Sequence, residues 1–542
     1  MAAPMLDTYR EVVTPEGVLL QLPAAGPLPR AMAWLVDLGV RVAVLVLMSI
    51  PLALLDTFGS GLYLMLMFLV YWAYPIVCEA LWGRTLGKRA LGLRVLSRDG
   101  APVGWMASIT RNLLRTVDML PFGYALGLVS SLFDPHGRRL GDLVAGTVVV
   151  HAPALYLPPP PTIDSVLAPP QPLRPDEQAA LMAFAERAPR LSAARQQELA
   201  GIAEPLTGAQ GQIGQEQFVA RYQQEWQDLE QWLLLRAGAS RRARRKASGL
   251  ALDDTAFPQR YRRLCQQLAL ARERGYSPQL VQRLQQLMQQ GHSVLYRTRP
   301  TRWRAALEFL VADFPLLVRS QARSMWVALA MFALPALACF VLAQVYPDLI
   351  HMLMDNRQIA AMERMYDPAA ERLGRDSGTD WMMFGHYVMN NISIALRTFA
   401  SGLLAGLGTL LVLSFNGVTI GAVAGHLQHI GYGGPFWRFV AGHGAFELTA
   451  IVIAGGAGLQ LGMKLLAPGR RSRLDALVDG GRIGARLCLG VAFMLLVAAF
   501  IEAFWSSIAE VPAWGKFSVA GVLWAGVLLW LWRGGRGAGD AH

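Results

Sequence analysis

Charge is what this sequence has least of. Only 16% of its 542 residues are Asp, Glu, Lys or Arg, and 54% are apolar, whereas soluble domains average about 25% charged; a membrane protein follows. Acidic residues are the scarcer sign, 38 against 50 Lys and Arg, the bias expected when basic loops stay on the cytoplasmic side of a bilayer. Cysteine is nearly absent: Cys78, Cys265, Cys339 and Cys488 lie far apart with no CxxC, which excludes a disulfide framework and a zinc knuckle. The sequence has no HExxH, no Gly-x-Ser-x-Gly elbow and no phosphate loop, so the common hydrolase and nucleotide signatures are missing. The first thirty residues are mixed, and the first long apolar run begins after Arg30, so no cleavable signal peptide is expected.

What the chain does have is long apolar runs. Residues 31–55 and 61–81 are each long enough to cross a hydrocarbon core of about 30 Å and read as a helical hairpin. Arg30, Trp34, Asp37 and Arg41 fall at helical spacing along one stripe, with Asp37 and Arg41 one turn apart. Charge inside a span implies a protein partner, so pairing of Asp37 with arginine is expected; a proton or cation pathway is the alternative. A basic, turn-rich stretch at 83–105 predicts a cytoplasmic β-like hairpin around Asp99-Gly100. Arg111, Arg115 and Asp118, at i, i+4 and i+7, form a second stripe able to face the first. The run 120–132 is short for a crossing and is expected to be re-entrant or interfacial.

Arg30 at the mouth of the first span, Asp37 within it and Asp142 in FDPHGRRLGDLVAGTVVV together resemble the RDD family, over roughly 27–151. The resemblance implies a small membrane domain, with cation/proton exchange suggested for some members. A proline-rich stretch holding Pro158 to Pro161 then predicts a spacer. From 176 to 323 Leu recurs at helical period, as in Leu264 and Leu268 or Leu280, Leu284 and Leu287, and predicts cytoplasmic amphipathic helices. The run Arg241, Arg242, Arg244, Arg245, Lys246 lacks interleaved aromatics; no nucleic acid is expected, and a loop near anionic lipid or protein is.

Six further spans are predicted at 325–345, 386–413, 417–430, 436–465, 483–508 and 517–532. Gly417, Gly421 and Gly425 suit close helix packing or a half-span. Several elements resemble the stage II sporulation protein M family, from about 217 to 507. They are Trp226, Leu229 and Glu230, then Tyr261-Arg262, then His292 to Tyr296. In the membrane block they are Asn390-Asn391, Asn416-Gly417, His443 to Glu447 with its glycine-rich continuation, and Glu502. The resemblance implies a membrane component of an envelope machine; in spore formers, partners of such members degrade peptidoglycan during engulfment.

His443 and Glu447, four residues apart, share a helix face. With Glu502, Asn391, Asn416 and Arg397 they are expected to form the polar centre of the bundle. The charged set of the first domain is Arg30, Asp37, Arg41, Arg111, Arg115 and Asp142. A zinc site of His443, Glu447 and Glu502, joined by His426 or His429, is the weaker alternative; no catalytic residue, cofactor or metal ligand is assigned.

The expected fold is an all-α polytopic membrane protein. It divides into an N-terminal tail (1–26), an RDD-like hairpin domain (27–151), a linker (152–175), a cytoplasmic helical region (176–323) and a bundle of about six membrane segments (324–542). We expect a bacterial inner-membrane scaffold of a cell-envelope complex, partnered by the lipid bilayer, by other membrane or cytoplasmic proteins and by further copies of itself. Both termini and 176–323 are placed in the cytoplasm. A proton-coupled transporter or cation/proton exchanger, and an intramembrane metal-dependent hydrolase, are the alternatives.

Overall fold

The computed structural model describes residues 9–13, 19–152, 172–187, 214–238, 256–273, 278–295, 303–369, 372–374 and 380–536. The proline-rich spacer at 158–161 and the basic run at 241–246 lie outside them. In chain order the first elements are β1 (Tyr9–Val13), β2 (Leu19–Pro23), α1 (Pro27–Ala53) and α2 (Asp56–Trp82). Next come β3 (Leu93–Ser97), α3 (Trp105–Leu113), α4 (Leu140–Ala145) and β4 (Thr147–His151). Then follow α5 (Gly214–Gly238), α6 (Phe257–Glu273), α7 (Pro278–Leu295) and α8 (Ala322–Val345). The last are α9 (Asp380–Ala400), α10 (Leu407–His429), α11 (Gly433–Leu466), α12 (Arg473–Ser506) and α13 (Ala513–Arg533). Among the described residues seven helices, all of these after α7 except α9 together with α1 and α2, are long and apolar enough to cross a membrane. The fold is the expected all-α polytopic membrane protein.

The chain divides into two compact units, one of 1–24, 96–102 and 150–298 and one of 25–95, 103–149 and 299–542. In the first, β1 and β2 pair antiparallel with Tyr9 opposite Pro23. Apolar positions at helical spacing bury Trp226, Leu229 and Leu233 of α5, Tyr261, Leu264 and Leu268 of α6, and Leu284 and Leu287 of α7. The Trp226 indole N–H donates to Gln267 Oε1 at 2.7 Å, and Trp232 stacks on Phe257 at 4.4 Å. The buried indole is thereby satisfied.

In the second unit one hydrophobic core includes Trp72, Leu113 and Val144 together with Ile392, Phe399, Leu461 and Leu495. The α1–α2 hairpin therefore packs into the C-terminal bundle. Helix α2 lies on α9 so closely that a Cβ on Gly61 would meet the Trp381 carbonyl, and one on Gly385 the Gly61 carbonyl. Trp72 Nε1 donates to Ser393 Oγ at 3.2 Å across the same contact. On the other side, Thr110 Oγ1 of α3 donates to the Gly481 carbonyl of α12 at 3.2 Å.

One expectation is extended and two change. The β-like hairpin around Asp99-Gly100 forms, the Ser97 amide donating to the Ala101 carbonyl at 2.8 Å and Leu96 bridging Pro102 antiparallel, and β3 gains β4 as its sheet partner; backbone groups on a strand that short need a second strand to pair with. The breaks expected at 385 and near 414–416 move as well: α9 begins at Asp380, the chain turns at 401–406, with Ala405 and Gly406 at φ of 53° and 82°, and α10 runs on through Asn416. A half-span at 417–430 is thus replaced by a full helix. Gly417, Gly421 and Gly425 do not break it; they face α8, where added Cβ atoms would meet the Phe332 and Ala336 carbonyls and Ala343.

Candidate functional site

Two buried polar clusters occur in the second unit, one on each family-like portion. In the first, Asp142 is fully buried and sits in the short helix α4. It ion-pairs with Arg30 from the start of α1 and with Arg111 Nε from α3, the latter at 2.5 Å. Arg111 bridges onward to Glu79 near the end of α2, which also pairs with Lys88 and accepts from Asn112 Nδ2 at 2.9 Å. Arg139 reaches Asp118 at 3.3 Å. Burial opposes ionisation of Asp142, but Arg30, Arg111 and Arg139 hold it well below the usual carboxylate range. Asp118 lies in deeper imbalance: burial lifts it to about 6 against the charge of Arg139. Lys88 is lowered to about 8 by burial and by Arg111, against the pull of Glu79.

Asp37 and Arg41 do not pair. Asp37 accepts from Tyr74 Oη at 2.8 Å, Thr85 Oγ1 at 2.5 Å and the Gly87 amide at 2.8 Å, so three neutral donors replace the arginine expected for it. Arg41 lies over the Tyr74 ring, 5.7 Å from its centroid. Arg115 donates to the Tyr71 carbonyl at 2.8 Å and stacks on its ring. Glu79, Lys88, Asn112 and Arg139 escaped the sequence reading. A lone carboxylate in the apolar stretch IVCEALWG was the available signal, because an acid at that depth requires a partner.

The second cluster lies among α9, α11 and the end of α12. His443 and Glu447 project from one face of α11, with Nε2 and Oε2 3.7 Å apart. Glu502 opens the π-helical turn Glu502–Ser506 that ends α12. One donor atom from each of the three lies within 4.8 Å of the others. Asn391 Nδ2 donates to Glu447 Oε1 at 3.1 Å, and His443 Nδ1 faces Ser506 Oγ at 3.0 Å. Phe439 sits edge-on to His443 at 5.1 Å, and Tyr366 packs against Phe439. Burial and the charges of Glu502 and Glu447 push the Tyr366 phenol up.

The structure thus brings together His443, Glu447, Glu502 and Asn391, and leaves two expected members out. Arg397 is exposed; six residues beyond Asn391, it is turned about 240° away on the same helix. Asn416 donates to the Val412 carbonyl of its own helix at 2.8 Å. His426 belongs elsewhere, 2.8 Å from Glu363, and His429 is exposed. Such an arrangement can hold a proton or a cation between helices.

Comparison with known proteins agrees with this division. The RDD family model matches residues 24–146, and the model described as Stage II sporulation protein M matches 325–507. Residues 216–297, read from the sequence as part of the latter family, match a separate domain of unknown function (DUF8413). The chain is 32% identical over 126 residues to the uncharacterized protein YckC of Bacillus subtilis (strain 168), covering 22% of this chain and 82% of that protein. No solved structure matches. In one chain, this polytopic membrane protein thus carries an RDD domain at 24–146 and a stage II sporulation protein M-like domain at 325–507.

Proposed function

We propose that the protein is a scaffold in the bacterial inner membrane, a component of a cell-envelope complex that recruits protein partners through helices on its cytoplasmic side. The observation that carries this reading is the helical module α5–α7, which has its own core of Trp226, Tyr261, Leu264 and Leu284. The membrane part supports the same reading, because the RDD charges are spent on one another. Arg30, Arg111 and Arg139 meet Asp142, Glu79 and Asp118, so the domain fits a rigid anchor.

Orientation follows from the basic segments. Residues 297–323 and 468–486 are rich in arginine and belong on the cytoplasmic side. Both then lie on one side only if α9 crosses too; its 21 residues make about 31 Å of helix, enough for the hydrocarbon core. Both termini and α5–α7 are then cytoplasmic. The test is co-purification from native membranes with the intact chain and with residues 214–295 deleted. Partners that leave with the deletion, while the membrane part stays inserted, are the expected result; a complex that survives the deletion unchanged sinks the scaffold reading.

A further inference from the structure

We propose that His443, Glu447 and Glu502 bind one zinc-like divalent cation inside the bundle, where α11 meets the π-helical turn that ends α12. The proposal goes beyond scaffolding, which makes no use of this cluster.

The donor atoms are arranged for it. Four-coordinate zinc, with bonds of about 2.0–2.2 Å, spaces its ligand atoms roughly 3.3–3.6 Å apart. His443 Nε2 and Glu447 Oε2 are already 3.7 Å apart, and a Glu502 donor lies within 4.8 Å of both. A modest rotation of the Glu502 side chain closes the set. The outward atom is occupied in two of the three ligands: Ser506 Oγ holds His443 Nδ1 at 3.0 Å, and Asn391 holds Glu447 Oε1 at 3.1 Å. Metal-binding imidazoles and carboxylates are oriented in this manner by a second layer of hydrogen bonds. The contacts leave Nε2 and Oε2 turned toward each other.

Glu502 supplies an independent sign. The residue is 8% exposed, hydrogen bonds Tyr387, and keeps Oε2 without a partner. Among the described residues no lysine or arginine ion-pairs with Glu447 or Glu502. The nearby cations are engaged by backbone: Lys516 donates to the Ser506 carbonyl at 2.6 Å, and Arg438 to those of Ala509 and Val511. A divalent cation would meet one buried carboxylate, Glu502, and one partly exposed carboxylate, Glu447, beside the buried imidazole of His443. One nitrogen and two oxygen donors suit zinc or manganese, while magnesium prefers oxygen alone. With three protein ligands a fourth position stays open. π-helical turns recur where helices carry functional groups, and here the turn brings Glu502 to the face of α11.

The experiment uses the full-length protein, purified in detergent with a histidine-free tag, stripped with chelator and re-equilibrated with zinc chloride. Metal is counted by mass spectrometry and the melting temperature is recorded with zinc and with magnesium. One zinc per chain is expected, lost in His443→Asn and Glu502→Gln, retained in Glu363→Gln, and bound about 10–100-fold more weakly in Asn391→Ala. Wild-type protein that takes up no zinc overturns the proposal, as do site variants that hold as much as wild type. Should His443→Asn and Glu502→Gln fail to fold, the wild-type melting temperature decides: it should rise with zinc and stand still with magnesium, and no rise with zinc refutes the site.

Discussion

Asp142 shows how much of a charge network a single residue can organise. It is fully buried and shared by Arg30 and Arg111, so Asp142→Asn leaves the buried Arg111 and the part-buried Arg30 under-compensated. Loss of about 3–5 kcal/mol is expected, visible as a lowered melting temperature of the purified protein in detergent. Asp118 has the opposite sign. Its folded value of about 6 exceeds the usual value of about 3.9, so the folded state holds the proton more tightly than the unfolded one. Its contribution is most favourable below about pH 4 and is withdrawn as pH rises through about 6. Melting curves at intervals across that window should show Asp118→Asn losing this slope relative to wild type; equal slopes would contradict the assignment. Asp142 and Arg30 were legible in the sequence because they belong to a spaced motif. Glu79 and Lys88 were not, since the meeting of Glu79 with Arg111 and Lys88 depends on where α2 comes to lie against α3 and the chain after α2.

At the level of elements, helix length was easier to read than helix interruption. The apolar runs that became α8, α11 and α13 announce themselves by composition. The turn at 401–406 does not, because glycine both ends helices and lets them touch. Gly406 takes a positive φ in the turn, whereas Gly417, Gly421 and Gly425 press α10 onto α8, and Gly402 lies in the turn and also presses against Gly458 of α11; only the neighbouring helix distinguishes the two uses. Gly421→Leu should therefore cost about 1–3 kcal/mol by overpacking, read as a lower melting temperature. Gly526→Leu, where an added Cβ meets nothing within 4 Å, is the matched control and should be neutral. Equal effects at the two positions would show that α10 and α8 do not pack in this way.

For the whole molecule, the sequence disclosed both families and the all-α membrane architecture, yet hid their joint core. A chain read in order suggests an N-terminal domain set apart by a spacer. In space, α2 lies against α9, glycine against glycine at Gly61 and Gly385, a relation no local pattern announces. Four of the six residues expected at the candidate site, His443, Glu447, Glu502 and Asn391, do come together; Arg397 faces away and Asn416 bonds within its own helix, because polarity inside a span marks a residue as needing a partner without saying which partner it meets. The contact between α2 and α9 also sets a clock on biosynthesis. Trp72 and Ser393 are 321 residues apart in the chain, so at about 5–20 residues per second the ribosome needs roughly 15–65 seconds to supply the second after the first. Throughout that interval the hairpin sits in the bilayer with the surface meant for α9 turned toward lipid, and a chain truncated before residue 380 would keep it there.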